Sequence, residues 1–116
     1  MDNINREYID SYINKLIPDE DERLEAFRKE CEERALPIIH KEVGQLIKLF
    51  INQLNAKSII EVGTNVGYSS IFMSCAMNNQ GKVVTLERSE KFYNEALSNI
   101  KGFGLDKNID VCFGDA

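Results

Sequence analysis

Residues 58–70 have the sequence SIIEVGTNVGYSS, in which an apolar run ends at Glu61 and continues through Gly63 and Gly67 into small residues. The apolar run predicts a buried strand, and the small residues after it predict the start of a helix. A glycine-containing turn between a parallel strand and a helix lets a ligand approach the backbone, and the helix N–H groups can bind its anionic group. This segment therefore predicts a ligand site at the carboxyl end of a strand.

The alternation of strand and helix continues to the end of the sequence. Three apolar runs predict strands: Ser58–Val62, Lys82–Glu87 and Ile109–Phe113. One helix is predicted over about 66–78, and another runs from the capping residue Ser89 to about Gly102. Parallel strands joined by right-handed helical crossovers take the spatial order 3-2-1. This βαβαβ pattern is the first half of a doubly wound α/β sheet.

The residues before the first strand predict helices. Apolar residues recur at helical spacing from Ile4 to Leu16, and further helices are predicted over Asp19–Arg34 and about His40–Leu54. Leu24, Phe27 and Cys31 are predicted to face inward. Leu36-Pro37-Ile38 is predicted to be a linker. We therefore divide the chain into an N-terminal helical segment, residues 1–55, and a partial α/β domain, residues 56–116.

The composition is typical of a globular protein. The chain has 116 residues, of which 43% are hydrophobic and 28% are charged. Its net charge of −5 gives no overall attraction for nucleic acid, although a local basic patch could still bind RNA. Cys31, Cys75 and Cys112 form no C-x-x-C pair, so reduced thiols in a cytoplasmic protein are expected, two of them in the core. No signal peptide and no membrane span are recognisable.

The predicted sheet has an unfilled position beside its first strand. In a doubly wound sheet that strand is central, yet no residues remain for a fourth strand to pair with it. An unpaired apolar edge at Ser58-Ile59-Ile60 favours association with another chain. We therefore expect either a longer protein whose C-terminal half is missing here, or a homo-oligomer that completes the sheet.

The glycine spacing distinguishes two classes of nucleoside cofactor. Dinucleotide sites use G-x-G-x-x-G, whereas this chain has Glu61-x-Gly63-x-x-x-Gly67, which disfavours a nicotinamide oxidoreductase. An acid before the first glycine suits an ammonium group, such as that of S-adenosylmethionine (SAM). Ser69 and the helix N–H groups would then hold the cofactor carboxylate. Glu87 would bind the ribose hydroxyls, and Asp115-Ala116 would reach the adenine.

Each of these residues also has a purely structural interpretation. Glu61 could cap the following helix, and Ser69 could be no more than a residue at the start of that helix. Glu87 could form an ordinary ion pair with Arg88 or Lys91. Tyr68 could pack beneath the loop. Asp115 could be a turn residue, and His40, without metal-ligand spacing, favours a surface or hinge role.

The sequence resembles the metal-dependent O-methyltransferases of the catechol and caffeoyl-CoA type. The resemblance lies in Glu61–Ser69, in the strand ending at Glu87 and in Gly114-Asp115-Ala116. The N-terminal part, including Glu42-Val43-Gly44-Gln45-Leu46, is most similar to a bacterial branch that methylates 5-hydroxyuridine in tRNA. The resemblance implies a Rossmann-like class I methyltransferase sheet and a SAM-dependent O-methyltransferase. The methyl acceptor it implies is either a modified tRNA uridine or a small catechol-like molecule.

The resemblance also implies roles for particular residues. Those it places around the cofactor are Ile39 (through its backbone, near the methionine moiety), Glu61, Gly63, Tyr68, Ser69, Glu87, Asp115 and Ala116. The divalent metal of the family, usually Mg²⁺, lowers the pKa of the acceptor hydroxyl and orients it. Its ligands in the family follow later strands, so none is expected in this chain. Catalysis by these 116 residues alone is therefore not expected. The alternative is a non-catalytic module that docks through the open sheet edge.

Overall fold

A computed structural model describes residues 6–116. The helices and strands, in chain order, are α1 (Glu7–Leu16), α2 (Glu22–Glu33), α3 (Lys41–Leu54), β1 (Ser58–Val62), α4 (Tyr68–Ala76), β2 (Lys82–Glu87), α5 (Glu90–Gly102) and β3 (Ile109–Phe113). The chain forms two compact units that divide between Leu46 and Ile47. From residue 6 onward, no helix combines the length and the apolar character that crossing a membrane requires.

The first unit contains α1, α2 and the start of α3. The carboxylate of Asp21 accepts hydrogen bonds from the backbone N–H groups of Arg23 and Leu24, so α2 begins later than the acidic run suggested. Leu24, Phe27 and Cys31 are buried, as predicted. On α1, Tyr8, Tyr12 and Leu16 are exposed, and Ile4 of the predicted apolar stripe lies outside the described residues.

The second unit is built on a parallel sheet with the order β1-β2-β3. Ile59 pairs with Val83, which in turn pairs with Ile109. The predicted strand bounds and the predicted order are therefore confirmed. Residues of both crossover helices pack on the sheet, and the core contains Ile71, Phe72, Val83, Ala96, Ile100 and Ile109. The burial of these apolar side chains is the main contribution to the stability of the second unit.

Several apolar side chains of the second unit are exposed. Within residues 6–116, β1 pairs only with β2, and Ile60 and Val62 of β1 are 76% and 69% exposed. On α3, Phe50 and Leu54 are exposed, whereas Ile51 is buried. Among the described residues, Cys31, Cys75 and Cys112 form no disulfide, and only Cys31 is buried, so the expectation of two core thiols was wrong.

Candidate functional site

The carboxyl ends of the three strands are tied together by backbone hydrogen bonds. The N–H groups of Gly63 and Thr64 donate to the carbonyl oxygen of Leu86, at 2.8 and 3.1 Å. The N–H of Gly114 donates to the carbonyl oxygen of Glu87 at 2.9 Å. The loops after β1 and β3 therefore both lie against the end of β2, at the edge where open α/β sheets bind ligands.

Glu87 lies at the centre of this edge. One carboxylate oxygen accepts the backbone N–H of Asn65 at 2.6 Å, and the other accepts the N–H of Ser89 at 2.9 Å. Within residues 6–116, it makes no ion pair with Arg88 or Lys91, and the residue is only 8% exposed. A carboxylate has about four acceptor positions, so its two oxygens can each accept one further hydrogen bond. This remaining capacity fits the two hydroxyls of a ribose.

Glu61 is the acceptor of a hydroxyl network. Its carboxylate accepts hydrogen bonds from Ser69 Oγ, from Ser70 Oγ at 2.5 Å and from Thr85 Oγ1 at 2.8 Å. Thr85 Oγ1 also lies 2.7 Å from Thr64 Oγ1. Glu61 thus holds the first turn of α4 through the hydroxyls of Ser69 and Ser70, but it accepts no backbone N–H and does not cap the helix. The Ser69 proton points to Glu61, so Ser69 would have to reorient to donate to a ligand carboxylate.

The start of α4 presents backbone donors. Gly67 is the N-cap with φ +93°, and no side chain caps the helix there. The first helical bond runs from the N–H of Ile71 to the carbonyl of Gly67, so the N–H groups of residues 68–70 precede it. Gly63 has φ +92°, and a Cβ at this position would have no neighbour within 4 Å. The loop therefore borders open space beside a helix N-terminus, which suits an anionic group.

The remaining predicted residues occupy different environments. Tyr68 is 2% exposed and stacks on Phe72 with a centroid distance of 6.4 Å, so its ring lies in the core. Asp115 and Ala116 are exposed just after the Gly114–Glu87 contact, and the Ala116 N–H donates to Asp115 Oδ1 at 3.0 Å. Ile39 belongs to the first unit and is half-buried.

Sequence reasoning missed the buried hydroxyls of the site. Ser70 and Thr85 are fully buried and bind Glu61, and Thr64 joins them. A signal for Thr85 was available, because a threonine stands inside the apolar run of β2. The hydrogen bond from the Asn65 N–H to Glu87 had no such signal, since it depends on the backbone path of the loop.

A metal site is not formed by the described residues. Among residues 6–116, no three side chains of His, Cys, Asp or Glu converge in a way that could hold a metal ion. A requirement for a divalent metal ion is therefore implied only by the resemblance to the family.

Comparison with known proteins identifies the family of the chain. The family model described as O-methyltransferase matches residues 14–116. The chain belongs to this O-methyltransferase family. A catechol O-methyltransferase of Niastella koreensis is 34% identical over all of this chain and 53% of its own length. The chain spans about half the length of the curated relatives it matches.

Two solved O-methyltransferase structures share the fold. That of the Bacillus cereus O-methyltransferase, in complex with SAH, has a TM-score of 0.77 and 31% identity, over 92% of this chain and 50% of that one. That of TomG from Streptomyces achromogenes, involved in tomaymycin synthesis and in complex with SAM, has a TM-score of 0.74 and 30% identity, over 92% and 49%. The O-methyltransferase family and its class I α/β fold, expected from the sequence, are thereby confirmed.

Proposed function

We propose that this chain is the cofactor-binding portion of a SAM-dependent O-methyltransferase. The observation that carries the proposal is the position of Glu87, whose buried carboxylate keeps acceptor capacity beside the open Gly63 loop and the start of α4. Bound SAH and SAM in the two related structures support the same cofactor class. The ribose would lie on Glu87, and the amino-acid tail would lie at the start of α4.

The proposed reaction is a methyl transfer to a hydroxyl group. The acceptor oxygen attacks the methyl carbon in line with the sulfur, the S–C bond breaks as the O–C bond forms, and the hydroxyl proton leaves to a base or to solvent. S-adenosylhomocysteine is the second product. When bound, SAM supplies the electrophilic methyl group and a neutral leaving group. The residues of this chain contribute binding and orientation, which hold the reactants in a productive geometry.

Two classes of methyl acceptor are supported by different observations. The name of the Niastella koreensis relative supports a catechol-like molecule. The resemblance of the N-terminal segment supports 5-hydroxyuridine of tRNA, whereas the net charge of −5 gives RNA binding no help. Methyl-transfer assays with the gene product, using catechol and tRNA that carries 5-hydroxyuridine, distinguish the two. We expect the divalent ion, Mg²⁺ by resemblance, to be required with either acceptor.

Isothermal titration of the chain with S-adenosylhomocysteine tests the cofactor proposal. We expect binding in the micromolar range, which Glu87→Ala abolishes. The variant Asp106→Ala, which removes an exposed acid from the turn before β3, should bind like the original chain. A folded chain that does not bind S-adenosylhomocysteine, or that binds NADH more tightly, would contradict the proposal.

A second candidate function is a non-catalytic module. The specific observation is that Ile60 and Val62 are exposed on a strand that pairs on one side only, within residues 6–116. An exposed apolar strand edge favours pairing with another chain, including a second copy of this one. This candidate predicts stable self-association together with an absence of S-adenosylhomocysteine binding.

A further inference from the structure

The side chain of Asn99, on α5, holds the glycine loop after β1. Its Nδ2 donates to the carbonyl oxygen of Val66 at 2.9 Å, between residues 33 positions apart in the sequence. A carbonyl oxygen only accepts hydrogen bonds, so the amide must present its NH₂ group to it. Asn99 is half-buried and Val66 is fully buried. Water therefore competes little for this carbonyl, and the bond ties the loop to α5.

The peptide unit between Val66 and Gly67 is thereby held at both of its polar groups. Its N–H, which belongs to Gly67, donates to the carbonyl oxygen of Thr64 at 2.9 Å. Its carbonyl accepts the hydrogen bond from Asn99. The first bond lies within the loop, whereas the second comes from another helix. The direction of this peptide therefore depends on α5 as well as on the loop.

Glycine at position 67 gives this peptide an alternative orientation. Gly67 has φ +93°, and glycine populates negative φ about as readily as positive φ. A flip of the peptide plane would move φ of Gly67 to the negative region, break the bond to Thr64 and turn the Val66 carbonyl away from α5. The bond from Asn99 opposes this flip. It therefore selects one of two backbone states at the residue that begins α4.

This peptide leads directly into the proposed position of the amino-acid tail. Gly67 is the N-cap of α4, and its carbonyl accepts the first helical hydrogen bond, from the N–H of Ile71 at 3.0 Å. A flip of the preceding peptide would reorient the first turn, whose N–H groups are proposed to bind the tail. The proposed ribose contact at Glu87 is held separately, through the N–H of Asn65. Loss of the Asn99 bond should therefore weaken the tail contact more than the ribose contact.

We infer that Asn99 is a positioning residue for cofactor binding, which fixes the peptide between Val66 and Gly67 and so preorganises the start of α4 for the amino-acid tail. This inference rests on the proposed function, because the position of the tail belongs to that proposal. Asn99 itself touches no cofactor atom in this scheme. Its contribution is to lower the entropic cost of ordering the loop when the ligand binds.

The test compares two ligands by titration calorimetry. S-adenosylhomocysteine carries the amino-acid tail, whereas 5′-methylthioadenosine keeps the adenosine and the thioether but lacks the tail. For Asn99→Ala, we expect the Kd of S-adenosylhomocysteine to rise about fivefold, a factor that corresponds to about 1 kcal/mol, while that of 5′-methylthioadenosine changes less than about twofold. Asn99→Leu, which keeps a similar volume and removes the donor, should show the same selective rise. It decides the question if Asn99→Ala does not fold.

Asn108 offers a control that matches Asn99 in residue type and in burial. It is half-buried, and its Nδ2 donates to the carbonyl oxygens of Asn79 and Gly81, at 2.9 and 3.4 Å, at the opposite edge of the sheet. Asn108→Ala and Asn99→Ala should lower the melting temperature comparably, but Asn108→Ala should leave both Kd values unchanged. Amide exchange of the Gly67 N–H should be faster in Asn99→Ala and not in Asn108→Ala, which checks the restraint without any ligand.

The outcomes are distinct. If the Asn99 variants weaken both ligands equally, or neither, the positioning role is wrong while the proposed cofactor site stands. An equal effect of Asn108→Ala on S-adenosylhomocysteine, or unchanged exchange of the Gly67 N–H in Asn99→Ala, also contradicts that role. If the original chain binds neither ligand, the proposed function itself fails, and this inference fails with it.

Discussion

The carboxylate of Glu87, at the end of β2, accepts the backbone N–H of Asn65 at 2.6 Å. Asn65 lies in the glycine loop with φ +51°, a left-handed conformation that asparagine tolerates better than most residues. The same carboxylate also accepts the Ser89 N–H at the start of α5. Glu87 therefore organises the loop after β1 and the helix after β2, in addition to its proposed contact with ribose.

This double role predicts that Glu87→Gln affects the stability of the ligand-free chain. Hydrogen bonds to a charged group contribute about 1.5–3 kcal/mol, and the amide offers only one acceptor oxygen for two N–H donors. We expect the free energy of unfolding in urea to fall by an amount in this range. The control Asp106→Asn, at an exposed turn, should change it little. Equal stability of Glu87→Gln and the original chain would contradict the structural role.

A second prediction concerns the open space beside Gly63. Gly63 and Gly104 both have positive φ, +92° and +71°, and a Cβ at either would have no neighbour within 4 Å. Alanine at each position therefore carries a similar backbone strain, of about 1–3 kcal/mol. We expect Gly63→Ala and Gly104→Ala to lower the melting temperature comparably.

The same pair of variants separates strain from ligand contact. Only Gly63→Ala should weaken binding of S-adenosylhomocysteine, by tenfold or more, because only Gly63 borders the proposed cofactor site. Titration calorimetry at a temperature where both variants are folded measures this difference. If both variants bind S-adenosylhomocysteine with equal affinity, Gly63 does not border the cofactor site.

A third prediction uses two buried serines on one helix. Ser74 Oγ is buried and has no hydrogen-bond partner among residues 6–116, whereas Ser70 Oγ donates to Glu61 at 2.5 Å. A buried hydroxyl without a partner costs about 1–3 kcal/mol. Ser74→Ala should therefore raise the melting temperature, and Ser70→Ala should lower it. Thermal unfolding followed by circular dichroism checks both, and a stabilising Ser70→Ala would contradict the network around Glu61.

A fourth prediction concerns Lys41 at the start of α3. Burial lowers the pKa of its ammonium, but hydrogen bonds and charge interactions with Asp19 and Glu25 outweigh burial, so the pKa is raised above 10.5. Because the folded pKa exceeds the unfolded one, the stabilisation is complete below the unfolded value and is lost as the pH rises through the folded value. Lys41→Gln should therefore lower stability at pH 8 and reduce the alkaline loss of stability.

Urea unfolding of this variant at pH 8 and above pH 10.5 checks the prediction. Lys57→Gln, which removes an exposed lysine, is the control for the general effect of alkaline pH. If the two variants lose stability in parallel as the pH rises, the ion pairs of Lys41 contribute nothing.

The sheet could be predicted from the sequence in detail, because each strand is a short apolar run between turn residues. All three strand bounds agree with the prediction. The helix after β1 was predicted to start near residue 66 but starts at Tyr68, since Asn65 and Gly67 both adopt positive φ. Left-handed residues of this kind interrupt a helical pattern without changing its apolar periodicity.

The site was only partly accessible to sequence reasoning. The positions of Glu61, Gly63 and Glu87 at one edge follow from the ends of parallel strands. The partners of Glu61 do not, because Ser69, Ser70 and Thr85 meet it only after the helix and the neighbouring strand have packed. Likewise, Tyr68 is buried only once α4 has packed into the fold.

A crystal structure of the chain with S-adenosylhomocysteine tests the central claim most directly. The account predicts ribose hydroxyls within hydrogen-bond distance of the Glu87 carboxylate, and the amino-acid tail at the N–H groups that begin α4. A structure in which the ligand binds elsewhere, or in which side chains fill the space beside Gly63, would contradict it.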